Sequence, residues 1–89
     1  MISRDLTIQN RLGLHARAAA RLVHLANRFN SKVLLSKDGI SVDGKSILGI
    51  LTLSATQGSS MKLTVDGLDE QEAAREIAAL VDARFGEEA

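Results

Sequence analysis

The chain has 89 residues, 45% of them apolar and 25% charged, and its eleven basic residues balance eleven acidic ones. This balance leaves no global field to attract nucleic acid or an anionic membrane, and two aromatic residues provide little surface for stacking on bases. Because the chain lacks cysteine, disulfides and thiolate metal sites are excluded. We expect one cytoplasmic domain over residues 1–89, with no secretory signal, no membrane insertion and no nucleic-acid partner.

The first half of the chain predicts a strand, a helix and a hairpin. Apolar and polar residues alternate from Ile2 to Ile8, which indicates a half-buried strand. From Ala16 the apolar spacing becomes helical, and this helix should end between residues 27 and 30. A second strand begins at Val33, and the Asp-Gly pair within 37–40 favours a tight turn into a third strand over 40–42. The predicted buried stripe of the helix comprises Ala19, Leu22, Val23, Ala26 and Phe29.

The second half predicts two further helices and a strand. Ser46 is a good N-cap residue before a short apolar run over 47–51, which indicates a helix of one or two turns. Alternation over 61–66 predicts a fourth strand. The last helix should begin at Asp69, with Glu72 completing a capping box, and should end at Gly86, beyond which residues 87–89 should fray. Its predicted buried stripe comprises Ala73, Ala74, Ile77, Leu80 and Val81.

The order β-α-β-β-α-β-α predicts an α+β fold. Each strand and each helix has a single apolar face. A two-layer sandwich, with the helices on one side of a four-stranded antiparallel sheet, buries all of these faces together.

The segment Gly13-Leu14-His15-Ala16-Arg17 is where the sequence points to chemistry. The first N–H groups of a helix have no intrahelical partner and carry partial positive charge, so the start of this helix is a ready anion site. The imidazole of His15 can act as a nucleophile, Arg17 supplies a fork of donors that suits phosphoryl oxygens, and Gly13 allows a close approach of the backbone. A phosphoryl group on the ring nitrogen nearest the backbone would lie within reach of the N–H groups of Ala16 and Arg17. Metal-ligand spacing and nucleotide-binding glycine loops are missing, so we expect no metal and no cofactor.

Two segments, LGLHAR over 12–17 and KSILGI over 45–50, together resemble the HPr family, the histidine-containing phosphocarrier proteins of the bacterial phosphoenolpyruvate-dependent phosphotransferase system. The resemblance implies an HPr-like open-faced β-sandwich with three helices on one face of the sheet. It implies that His15 receives a phosphoryl group on Nδ1, beside Arg17, from enzyme I charged by phosphoenolpyruvate, and donates it to enzyme IIA proteins. Ser46 resembles the regulatory serine that an ATP-dependent HPr kinase/phosphorylase modifies.

The resemblance also implies a docking patch for enzyme I and enzyme IIA that consists of Ala20, Ile47, Leu48 and Leu51. Burial in the core is an equal alternative for Leu51, whereas Ile50 and Leu53 should be core residues. The chain departs from the family at Ala18, where relatives usually carry proline. Since alanine is a strong helix former, we expect the helix to survive with one more free N–H, and the rate of exchange to be affected more than the function.

Other polar side chains near this helix have a simpler interpretation. His24 should be a solvated helix residue, and Arg21, Arg28 and Lys45 should form a solvated rim that steers acidic partners toward the site. We expect a monomer, and a carrier with no turnover of its own.

Three other functions remain open from the residues. A nitrogen-branch regulatory phosphocarrier would signal by its phosphorylation state without driving sugar uptake, and Ser46 only slightly favours the sugar-type carrier. A ligand-binding α+β regulatory domain would need a conspicuous apolar pocket or interface. An acid–base enzyme using His15 would need a carboxylate that the fold brings to the ring.

Overall fold

The secondary structure follows the predicted order, with one short addition at the end. The computed structural model describes all 89 residues, Met1–Ala89. None of its helices combines the length and the apolar character that crossing a bilayer requires. The elements are β1 (Ile2–Thr7), α1 (Ala16–Ala26), β2 (Lys32–Lys37), β3 (Ile40–Asp43), α2 (Ile47–Thr52), β4 (Ser60–Asp66), α3 (Glu70–Asp82) and a 3₁₀ turn (Arg84–Gly86) that the sequence pattern does not predict.

The strands form one antiparallel sheet in the order β1-β4-β2-β3. The last strand in sequence therefore lies between the first two, with Leu6 of β1 opposite Met61 and Leu35 of β2 opposite Leu63. These side chains are buried on one face, while the other face is largely polar and open. The helices pack on the apolar face, which confirms the predicted four-stranded sheet with three helices on one side.

The hairpin between β2 and β3 forms as the Asp-Gly pair predicts. Asp38 and Gly39 have φ angles of +52° and +82°, the combination that a type I′ turn requires. Its backbone twist matches that of the flanking strands, so Leu35 pairs with Val42 on the buried side.

Alanines line the inner faces of the two long helices and allow close packing. α1 and α3 contact each other while both bury an apolar stripe against the core. Leu80, predicted in the α3 stripe, is only half-buried because it lies at the rim of a shallow groove beside Leu25 and Arg28. The buried residues of the helices are Ala18, Ala19, Leu22 and Ala26 in α1, and Ala73, Ala74, Ile77, Ala78 and Val81 in α3.

The capping box predicted at the start of α3 does not form. The carboxylate of Asp69 makes no cap hydrogen bond. It accepts instead the N–H groups of Asn30 and Ser31, at 2.8 and 2.9 Å, together with the Ser31 hydroxyl. Glu70 takes over part of the local role by accepting the N–H of Gly67 at 3.1 Å. Because Ser31 is fully buried, its polar groups require a hydrogen-bond partner. The Asp69 carboxylate satisfies them in place of the N–H groups at the start of α3.

Asp69→Asn should destabilise the fold in a pH-dependent way. Hydrogen bonds from the Ser31 hydroxyl and then from the N–H groups of Asn30 and Ser31 hold the pKa of the Asp69 carboxyl below its ordinary value of 3.8. A carboxyl with a depressed pKa stabilises the folded state above its unfolded pKa, and this contribution disappears as pH falls through the folded pKa. We expect urea unfolding to show a lower free energy of unfolding for the variant than for wild type at neutral pH. The difference between the two free energies should become smaller in acid.

Asp82→Asn is the matched control, since Asp82 is exposed at the end of α3 and makes no ion pair or side-chain hydrogen bond. It should change the free energy of unfolding little at any pH. If Asp69→Asn lowers the free energy of unfolding by the same amount in acid and at neutral pH, the role assigned to the carboxylate is contradicted.

Candidate functional site

A close contact at Gly13 determines how the loop between β1 and α1 delivers His15. Gly13 has a φ of +69°, and a Cβ there would lie 2.5 Å from the carbonyl oxygen of Ala55. The N–H of Leu14 donates to that same oxygen at 2.9 Å. The close approach expected at Gly13 is therefore an approach to the Ala55 carbonyl, and it anchors the loop immediately before His15.

His15 is itself the N-cap of α1. Its backbone is extended, with φ −74° and ψ 177°, and Nδ1 accepts the N–H of Arg17 at 3.2 Å. The N–H of Ala16 makes no hydrogen bond, so it is free for a ligand at the same place. The side chain is 27% exposed, which leaves the ring accessible at the positive end of the helix. The ring therefore presents Nδ1 to the N–H of Arg17 at the start of α1.

A carboxylate binds the other ring nitrogen. Nε2 of His15 is hydrogen-bonded to Oε2 of Glu87, whose side chain is 17% exposed. Oε1 of Glu87 accepts Nδ2 of Asn10 at 2.9 Å, and the fully buried Asn10 also donates to the carbonyl of Gly13 at 2.8 Å. The hydrogen bonds from Asn10 and then from His15 lower the pKa of the Glu87 carboxyl, so the group stays ionised at neutral pH.

The last six residues form a strap over this site, so the prediction that residues 87–89 fray is wrong for Glu87. Phe85 is buried in the core with a φ of +54°, and its carbonyl accepts a guanidinium N–H of Arg21. The N–H of Glu87 donates to the carbonyl of Arg84 at 2.9 Å, while Glu88 and Ala89 are exposed. Arg21 is therefore bound to the strap (residues 84–89), which corrects its prediction as part of a solvated rim.

Asn10 and Glu87 are absent from the predicted site. One signal in the sequence points to Glu87: Phe85 is one of only two aromatic residues, and it stands close to the chain end. A large apolar side chain is most often buried, and burial of Phe85 orders the residues beside it. No comparable signal identifies Asn10, because a polar loop residue is ordinarily solvated.

Arg17 completes the surroundings of the ring. Its side chain is exposed, makes no ion pair, and lines a shallow open depression with Arg11, Leu12, His15 and Glu87. Two guanidinium groups without carboxylate partners therefore border the ring, and both are available to an anion. Leu12 is 68% exposed, and the predicted docking patch does not include it.

The predicted N-cap at Ser46 is confirmed. Its Oγ accepts the N–H of Gly49 at 3.1 Å, and its backbone is extended. Lys45, predicted in the solvated rim, donates instead through Nζ to the carbonyl of Phe29 at 2.8 Å, which ties this corner to the end of α1.

The short helix α2 buries one side and exposes the other, and α1 packs beside it. Ile50 and Leu53 are core residues, as predicted. Ile47 and Leu48 are 41% and 77% exposed, and Leu51 is half-buried. Ala20 is exposed on α1, and so is His24. The four predicted patch residues are thus at least partly accessible.

Ala18, where the family usually has proline, is fully buried in the first turn of α1, and its N–H makes no hydrogen bond. The helix begins normally around it, as the helix propensity of alanine predicts.

Known proteins match this chain over nearly its whole length. The family model described as the PTS HPr component phosphorylation site matches residues 2–83. The phosphocarrier protein HPr of Cupriavidus necator is 53% identical over 87 residues, which cover 98% of each chain. The HPr-like protein Crh of Bacillus subtilis is 43% identical over 81 residues, covering 91% of this chain and 95% of that protein. The crystal structure of HPr from Thermoanaerobacter tengcongensis superposes with a TM-score of 0.96 at 42% identity, covering 100% of both chains.

The family match, the full-length identity and the superposed fold agree with one another. The chain belongs to the HPr family of the phosphotransferase system, whose members are phosphocarriers that relay a phosphoryl group and have no turnover of their own.

Proposed function

We propose that His15 carries the phosphoryl group of this phosphocarrier on Nδ1. The single observation behind this assignment is that Nδ1 faces the N–H of Arg17 at the start of α1, beside the unpaired N–H of Ala16. This nitrogen accepts a hydrogen bond, so it holds a lone pair and is nucleophilic. The N–H of Arg17, which now donates to this lone pair, and the unpaired N–H of Ala16 can bind phosphoryl oxygens after transfer.

The transfer step needs only the ring and its surroundings. The Nδ1 lone pair attacks phosphorus, the bond from phosphorus to the donor breaks, and its electron pair returns to the donor. The N–H groups of Ala16 and Arg17 then donate to the phosphoryl oxygens, and the Arg17 guanidinium supplies a further charge-assisted contact. Such contacts are worth about 1–3 kcal/mol each, which holds the group without trapping it.

Membership in the family implies enzyme I and enzyme IIA proteins as partners. The exposed apolar side chains of Ile47 and Leu48, with Ala20 and Leu51, offer a small docking patch for both. A small patch suits a monomer that must release each partner after transfer, because transient interfaces bury little area. The unpaired guanidinium of Arg17 adds attraction to acidic partner surfaces.

The acid–base enzyme considered from the sequence required a carboxylate at His15, and Glu87 is such a carboxylate. Both of its oxygens are engaged, however, one with Nε2 and the other with Asn10, and the ring nitrogen that is left, Nδ1, faces the N–H of Arg17 at the start of α1. The carrier is therefore the function that the geometry supports best.

Incubation with enzyme I and phosphoenolpyruvate tests the proposal. We expect a mass increase of one phosphoryl group that is lost in acid, with the modified site mapped to His15 by fragmentation of the intact adduct. Omission of phosphoenolpyruvate should abolish the adduct. A stable protein with no adduct, or an adduct located elsewhere, would refute the assignment.

We propose that Ser46 is a regulatory phosphorylation site for HPr kinase/phosphorylase. A phosphate there would sit at the start of α2 and place about −1.5 to −2 charges next to the apolar docking patch. Ser46→Asp should therefore slow transfer from enzyme I by at least about tenfold while the protein stays folded, since aspartate also caps helices well. Stopped-flow or quench-flow transfer kinetics measure this rate.

Ser46→Ala separates the charge from the cap. It removes the hydrogen bond to Gly49 and should cost about 1 kcal/mol of stability, yet it should leave the transfer rate close to that of wild type. Equal transfer rates for Ser46→Asp and Ser46→Ala would reject an electrostatic switch at this position.

A further inference from the structure

We propose that Glu87 is a positioning residue that reserves Nδ1 of His15 for the phosphoryl group by occupying Nε2 and holding its proton, an inference that rests on the proposed role of His15. An exposed imidazole can react through either ring nitrogen, so its own chemistry does not reserve Nδ1. The carboxylate, which the strap brings to the ring, occupies Nε2, while the N–H of Arg17 is bound to Nδ1.

The contacts assign the proton to Nε2. A neutral imidazole has one N–H donor and one lone pair. Nδ1 accepts the N–H of Arg17, so the lone pair lies there. An ionised carboxylate is only an acceptor, so its hydrogen bond with Nε2 requires the proton on that nitrogen. The two opposite hydrogen bonds therefore select a single tautomer, the one with a nucleophilic Nδ1.

Contacts from other parts of the fold hold the Glu87 carboxylate at Nε2 of His15. Asn10 is fully buried and donates one N–H to the second oxygen of Glu87 and another to the Gly13 carbonyl, just before the loop between β1 and α1 reaches His15. Phe85, in the core, and Arg21, on its carbonyl, fix the backbone of the strap two residues earlier. The carboxylate is thus positioned by the loop before α1, by α1 itself and by the strap. The lowered pKa of its carboxyl keeps it charged.

The same contact serves the transfer step. When Nδ1 bonds to phosphorus, the ring becomes a cation, and the Nε2 proton remains bound between the ring and the carboxylate. When the group leaves, the bond to phosphorus breaks, its electrons return to Nδ1, and the neutral tautomer is restored. No proton has to enter or leave the site in either direction.

The remaining charged groups around the ring do not compete for this role. Arg11 and Arg17 border the same depression, and Arg21 attracts Glu87 from the side of α1. The terminal residue Ala89 also lines the depression, but it makes no hydrogen bond to the ring.

Chemical phosphorylation with phosphoramidate tests the inference without enzyme I. This small donor transfers its phosphoryl group to imidazole and releases ammonia, and ³¹P and ¹⁵N NMR distinguish the Nδ1 from the Nε2 product. On wild-type protein we expect only the Nδ1 product at His15. His24 is exposed and its ring makes no hydrogen bond, so it reports the unguided ratio of the two products within the same molecule.

Glu87→Ala should allow the Nε2 product on His15, raising its fraction from undetectable toward the value on His24 but not up to it, because the hydrogen bond from the N–H of Arg17 to Nδ1 remains. Glu88→Ala, which changes the exposed neighbouring carboxylate, should behave as wild type. Should Glu87→Ala disturb the amide spectrum of the fold, Glu87→Gln decides. A neutral amide of the same shape should slow Nδ1 phosphorylation about fivefold, the difference between a charge-assisted and a neutral hydrogen bond.

A folded Glu87→Ala protein that still gives only the Nδ1 product would overturn the inference, as would an unchanged rate in Glu87→Gln. Failure of enzyme I to phosphorylate the wild-type protein would instead overturn the proposed function, whatever isomers phosphoramidate produces. The two failures are therefore distinguishable.

Discussion

His15→Ala should form no phosphoryl adduct when it is incubated with enzyme I and phosphoenolpyruvate. Removal of the imidazole removes the nucleophile that faces the N–H of Arg17 at the start of α1, and the guanidinium groups of Arg11 and Arg17 nearby stay protonated and are not nucleophilic. Intact-protein mass spectrometry under alkaline conditions, where phosphohistidine survives, measures the loss. Wild-type protein should be converted nearly completely under the same conditions.

Two variants make this result specific. His15 is also an N-cap, so alanine should weaken the start of α1 by about 1 kcal/mol. His15→Asn restores a capping acceptor without a nucleophilic ring, and it should be folded and equally unable to accept the group. His24→Ala removes the other imidazole of the chain and should be phosphorylated like wild type. An adduct on His15→Asn would show that the phosphoryl group resides elsewhere.

Phe85→Ala should lower the free energy of unfolding by about 3–5 kcal/mol, the usual cost of truncating a buried aromatic side chain. Phe85 is 1% exposed, and it fastens the strap to the core. This decrease is a large part of the whole free energy of unfolding, which is about 5–15 kcal/mol for small domains. Urea unfolding at neutral pH measures it.

Two comparison variants distinguish the loss of the buried Phe85 side chain from the unspecific effect of a substitution. Both phenylalanine and alanine have a Cβ, so the positive φ at position 85 strains them alike and does not explain the difference. Phe85→Leu keeps most of the buried volume and should lose clearly less stability. Leu48→Ala truncates a side chain that is 77% exposed and should change the free energy of unfolding by less than about 0.5 kcal/mol. A loss below 1 kcal/mol for Phe85→Ala would mean that the strap is not held by its aromatic side chain.

The site shows the limit of local prediction most clearly. The position of His15 at the start of α1 follows from the change of apolar spacing at Ala16 and from the loop before it. The partner of the ring does not. Glu87 lies 72 positions away in sequence, and its approach depends on burial of Phe85 and on the side chain of Asn10. The contact of Asp69 is likewise not predictable from nearby residues. Its carboxylate could cap α3 locally, but it accepts the hydroxyl of the distant, buried Ser31 instead.

The sequence by itself determined the seven helices and strands, the hairpin turn at Asp38-Gly39 and the cap at Ser46. These features depend on residues within a few positions of one another, whose spacing the backbone geometry of helices and strands dictates. Only the tertiary structure decided that β4 lies between β1 and β2, and that the strap places a carboxylate on Nε2. Such contacts join distant segments, and they arise from the packing of the whole core, which no local pattern encodes.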